Sequence, residues 1–100
     1  MTALEIINLL TERKTVNLQL AKEYAKSYIG DKSNKIAKQQ YYHNVIAYNE
    51  IEAIIAKIED RTPMGIFFIP FPKLNEDTLN FQIRSLLKRH LAFNLQRRFT

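Results

Sequence analysis

The chain offers few groups that could carry covalent or acid–base chemistry. His43 and His90 are its only imidazoles, and it has no Cys. The two histidines are far apart in sequence, and neither has a neighbour at metal-ligand spacing. Glu50, Glu52, Glu59 and Asp60 could form a carboxylate pair, but they read as one helix surface with no identifiable pocket. The Ser and Thr residues read as helix caps, and no Gly-rich phosphate loop exists. The expectation is a protein with no catalytic residue, cofactor or metal, and so not an enzyme.

The charged residues are more suggestive. Lys22, Lys26, Lys32, Lys35 and Lys38 crowd around a turn near residue 30, against only Glu23 and Asp31. Tyr24, Tyr28, Tyr41 and Tyr42 lie close by, and a helix begins at Ser33-Asn34. Ammonium groups, aromatic rings and the free N–H groups of a helix start are the parts of an anion site. The same residues also make an ordinary solvated surface. A second basic element follows Asp77, after which no acidic residue occurs while Arg84, Lys88, Arg89, Arg97 and Arg98 do. Leu79, Ile83, Leu86, Leu87, Leu91 and Phe93 form its apolar face, with His90 near the centre. Such a helix suits a phosphate backbone or an acidic protein groove. A membrane surface is the least favoured target, because the chain's own helices can take the apolar face. No helix-turn-helix, zinc-finger or RNA-recognition signature accompanies the charge, so base-specific readout is not indicated.

The segment Phe67-Phe68-Ile69-Pro70-Phe71-Pro72 stands apart. Each residue before a proline is pushed towards extended geometry. An extended aromatic-proline arm over 64–72 is expected, packing either on its own chain or into a neighbour. Phe67, Phe68 and Phe71 are then interface anchors.

These residues must be positioned by helices. The 100 residues are 46% apolar, with only 2 Gly and 3 Pro, which argues against disorder and against an all-β chain. Thr2 followed by Glu5 is a capping-box pattern, and apolar residues recur at three- and four-residue steps to Tyr28. Arg13 and Lys14 fall on that apolar face, so residues 2–29 form one helix or two, the second capped by Thr15. Gly30 is read as a left-handed C-terminal stop. Residues 34–60 carry an unbroken heptad of Ala37, Tyr41, Asn44, Tyr48, Ile51, Ile55 and Ile58. A short loop makes the two helices antiparallel. Asn17 then falls opposite Asn44, as a register pair that is either buried or solvated. The Lys-first, Glu-last order along 34–60 runs against the helix dipole, so something other than the dipole placed those charges.

A second stripe on the same helix holds Tyr42, Val45 or Ile46, Asn49, Ala53 and Ala56. Two faces need two packing partners. The C-terminal helix, about 76–97, or a second copy of the chain fills that role. Tyr42, Ile46, Ala53 and Ala56 are the expected interface residues.

The fold class expected is all-α and a single domain over 1–100. It comprises a helical hairpin (1–62), an extended arm (63–74) and a basic amphipathic helix (75–100). The function expected is non-enzymatic: a self-associating helical protein that binds a protein partner or joins a larger assembly. The alternative is a nucleic-acid or nucleotide binder using Lys22, Lys26, Lys32, Ser33, Lys35 and Lys38 at the tip with Arg84, Lys88 and Arg89. Residues 1–15 lack a positively charged start before an apolar run, which points to the cytoplasm. The composition is also compatible with a viral accessory protein, for which host cytoplasm or virion is the counterpart.

Overall fold

The computed structural model describes residues 1–63 and 73–99, with side chains in the second stretch described through Arg89. It is all-helical, with α1 (Ala3–Gly30), α2 (Lys35–Ile58) and α3 (Glu76–Phe99). The aromatic-proline segment 64–72, including Phe67, Phe68 and Phe71, lies outside the described residues.

Local chemistry sets the ends of each helix. The Thr2 hydroxyl accepts the Glu5 N–H at 3.2 Å and starts α1. The helix then runs unbroken through Arg13-Lys14-Thr15. Thr15 does not cap a second helix, because its hydroxyl donates to the Thr11 carbonyl at 2.9 Å, one turn back. Gly30 differs from its expected role. It is the last residue of α1 and is not left-handed, and a Cβ there would meet nothing within 4 Å. The helix closes on Asp31, whose N–H reaches the Ser27 carbonyl at 3.1 Å. The Asp31 carboxylate accepts the Ser33 N–H at 3.0 Å and the Ser33 hydroxyl at 2.6 Å. The Asn34 side chain then accepts the Ala37 N–H at 3.0 Å, starting α2.

Asp60 supplies the left-handed stop, with φ of 52°. The Arg61 N–H reaches back to the Ala56 carbonyl at 2.9 Å, which closes α2 as a Schellman turn. At the start of α3, Asn75 and Thr78 cap reciprocally. The Thr78 N–H donates to Asn75 Oδ1 at 2.9 Å, and the Asn75 N–H donates to Thr78 Oγ1 at 3.1 Å.

α1 and α2 pack together as the expected hairpin. Of the α2 heptad, Ala37, Tyr41, Asn44, Tyr48 and Ile55 are buried and Ile51 is half-buried, whereas Ile58 is exposed where the seam runs out. α3 lies across the hairpin. Its Leu79, Ile83 and Leu86, with Leu74 just before it, join Leu18, Ala21 and Ala25 of α1 and Tyr41, Val45 and Tyr48 of α2 in one core. Small Ala21 and Ala25 of α1 share this core with large Tyr41 and Tyr48 of α2, so small and large side chains fill it together. Leu87 departs from the expected apolar face and is exposed.

Candidate interaction surface and a buried ion-pair network

Four polar side chains are buried in the hairpin: Lys14, Asn17, Asn44 and Glu52. Lys14 Nζ lies 2.9 Å from Glu52 Oε1. It also sits 5.8 Å from the centre of the Tyr48 ring, a cation–π distance. Arg61 Nη1 donates to Glu52 Oε2 at 2.7 Å and Nη2 reaches Oε1 at 3.3 Å, so the guanidinium grips the carboxylate from the other side. Arg61 Nη2 also lies 3.1 Å from Glu59. The turn at Asp60 makes this possible by swinging Arg61 back along α2.

This network explains two features of the sequence. Lys14 occupies an apolar position because a carboxylate waits there. Glu52 is acidic late in α2 because two cations hold it, not because of the helix dipole. Glu52 is therefore not on an acidic surface with Glu50, as the sequence implied. The hydrogen bond to Glu52 is the first cause that holds Arg61 even more firmly protonated than usual. Burial, and then the Glu52 charge, push the Tyr48 phenol well above its ordinary range, while Arg89 pulls it the other way. The sequence signal for this network was the lone Lys on an apolar face.

The two asparagines behave differently from each other. The Asn44 amide donates to the Gln40 carbonyl at 2.7 Å, within its own helix. Asn17 Nδ2 is buried and has no hydrogen-bond partner.

On the outer face of α2, Tyr42 is 49% and Ile46 is 41% exposed, and Ala53 is exposed as well. Ala56 belongs elsewhere. At 1% exposure it is buried in the chain's own core, because it falls on the Val45 side of the helix. Val45 is likewise buried, which resolves the Val45-or-Ile46 alternative in favour of Ile46 for the outer stripe. Lys35, Lys38, Gln39, Tyr42, His43 and Ile46 line a surface depression of about 570 Å³. α1 carries an outer stripe that the sequence reading passed over. Leu9 is 53% and Val16 is 46% exposed, with Ile6 exposed alongside.

The expected anion-site residues are mostly exposed. Lys26, Lys32, Ser33, Lys35 and Lys38 face solvent at the hairpin tip, and Lys22 is half-buried. Ser33 gives both its N–H and its hydroxyl to Asp31. Those hydrogen bonds hold the Asp31 carboxyl below its ordinary range, so a native anion already takes the loop donors. On α3, Arg84, Lys88 and Arg89 are exposed. Arg84 and Lys88 line a depression of about 330 Å³ with Phe81 and Ser85.

No family model, curated protein or solved structure matches the chain. Among the described residues, no helix is long and apolar enough to cross a membrane, and no group of three or more metal-ligating side chains comes together.

Proposed function

We propose that the chain is a non-enzymatic, self-associating helical protein that acts by binding a protein partner or as one subunit of a larger assembly. The observation that carries this reading is the apolar stripe left open on α2. Tyr42 and Ile46 are each more than two-fifths exposed on α2, although its other side already shares a core with α1 and α3. Isolated exposed apolar residues are common on any surface. Here they recur at helical spacing with Ala53, whose small side chain lets another backbone approach. Tyrosine is enriched among interface anchors. The Phe67-Phe68-Ile69-Pro70-Phe71 segment adds three aromatic anchors of the same kind.

The test is light scattering coupled to size exclusion with the Tyr42→Ser/Ile46→Ser variant. A lower mass than the parent, or loss of a captured partner, at unchanged helicity supports the reading. An unchanged mass and unchanged partner binding refute this stripe as the contact.

A second reading, nucleic-acid or nucleotide binding, draws on α3. Phe81, Arg84 and Lys88 share one exposed face, an aromatic platform flanked by two cations. The tip lysines Lys32, Lys35 and Lys38 would add phosphate contacts. Phosphate-driven binding weakens steeply as salt rises, whereas apolar association survives it. Changing Lys32, Lys35 and Lys38 to Glu should weaken such binding; unaltered affinity for nucleic acid removes the tip from this reading.

A further inference from the structure

The outer face of α1 carries a seam that the hairpin and α3 leave uncovered. Ile6, Leu9, Arg13, Val16 and Leu20 follow one another at alternating three- and four-residue steps, the spacing of a coiled-coil seam. Ile6, Leu9 and Val16 are exposed, and Leu20 is half-buried. Within the 28 residues of α1 the seam, from Ile6 to Leu20, is about 21 Å long at 1.5 Å per residue. Nothing in the hairpin needs apolar residues there, because the buried row of α1 is Ile7, Lys14, Asn17, Leu18, Ala21 and Ala25.

Charge selects the occupant. Along the flank of this seam lie Glu5, Glu12, Gln19 and Lys26, seven residues apart and all exposed. A parallel copy of the same helix would set Glu5 and Glu12 against the partner's Leu10 and Asn17, with no opposite charge to meet them. An antiparallel copy instead sets Glu5 beside the partner's Lys26, twice over by symmetry. The rest of the hairpin has the same polarity. Exposed Lys32, Lys35 and Lys38 crowd its tip against Asp31, while exposed Glu50 and Asp60 lie towards its open end against Lys57. An antiparallel pair thus brings the basic tip of each copy towards the acidic end of the other.

We infer that the outer face of α1 is a further self-association face beside the α2 stripe, and that a second copy of this chain packs on it antiparallel through Ile6, Leu9, Val16 and Leu20. This deepens the self-association reading above and rests on it. In the register that places Glu5 beside the partner's Lys26, Leu9 packs against the partner's Leu20. Val16 then covers the stem of the partner's Arg13 near the two-fold axis. The surface is isologous, so the pair closes as a dimer.

The chain's lack of Cys makes the test clean. Leu9→Cys and Leu20→Cys variants are mixed and treated with a short bis-maleimide. The expected result is several-fold more cross-linked dimer from the mixture than from either variant alone. Glu5→Lys should weaken self-association, and Glu5→Lys/Lys26→Glu should restore it at low salt. Equal cross-linking in mixed and separate samples, or no rescue by the double swap, overturns the antiparallel α1 pairing. If light scattering still finds an oligomer in that case, self-association stands and only this pairing fails. A monomer in which Leu9→Cys resists a thiol reagent means that the chain's own residues cover the seam, and also overturns it.

Discussion

Glu52 holds two cations at once, so its removal and that of Lys14 must differ in cost. Glu52→Leu takes away the carboxylate 2.9 Å from Lys14 Nζ and 2.7 Å from Arg61 Nη1. The Lys14 side chain is only 4% exposed and cannot simply turn to water. Breaking a buried pair from one side costs about 3–5 kcal/mol. Lys14→Met leaves Glu52 still gripped by Arg61 through two hydrogen bonds, so its cost should be nearer about 1.5–3 kcal/mol, the range for charged hydrogen bonds. Lys14→Met/Glu52→Leu removes both charges and fills the space with apolar atoms. Arg61, 17% exposed and 3.1 Å from Glu59, keeps an acidic partner. The double variant should therefore lie within about 1 kcal/mol of the parent, since apolar replacement of a buried pair is often neutral or stabilising. The assay is a double-mutant cycle from urea unfolding, with the slope checked for constancy. A domain of this size has about 5–15 kcal/mol in all, so the Glu52→Leu loss is easily read. A Glu52→Leu variant as stable as the parent, or a Lys14→Met variant that loses more than Glu52→Leu, refutes the buried network as described.

Two other outcomes follow from buried polar groups. Asn17→Leu/Asn44→Leu should be more stable than the parent by about 1–3 kcal/mol, because Asn17 Nδ2 is buried with no hydrogen-bond partner; lower stability in urea melts counts against that. Tyr48 gives a pH effect. Its phenol is raised in the folded state by burial and by Glu52, so the fold holds the proton more tightly than the unfolded chain does. The associated stability is complete below the unfolded value of about 10 and falls as pH rises beyond it, by up to about 1.4 kcal/mol per pH unit. Tyr48→Phe should lose that share of the alkaline slope, and an identical slope in both proteins refutes it.

The helices were legible because their signals are local. Thr2, Asn34 and Asn75 each accept a backbone N–H from the first turn, as side-chain oxygens at those positions do. The heptad from Ala37 to Ile55 marked the buried side of α2 because burial follows helical period. Signals that depend on tertiary partners were read less well. Ala53 and Ala56 looked alike, yet three residues along α2 turn one to solvent and the other into the core. Lys14 looked like a flaw in α1 because its carboxylate lies on another helix, 38 residues away. Gly30 looked like a left-handed stop, but Asp31 ended the helix and Asp60 took that conformation at the other loop. The α1 seam is hard to read from sequence because Ile6, Leu9, Val16 and Leu20 interleave with the buried row of the same helix, and burial alone separates the two faces.

We propose that this chain carries its apolar stripes in order to associate. Light scattering coupled to size exclusion, across a range of protein concentrations at low and high salt and with and without added nucleic acid, tests it most directly. The account predicts a mass above that of one chain which rises with concentration, persists at high salt and does not require nucleic acid. A single-chain mass at every concentration that increases only when nucleic acid is added at low salt contradicts it.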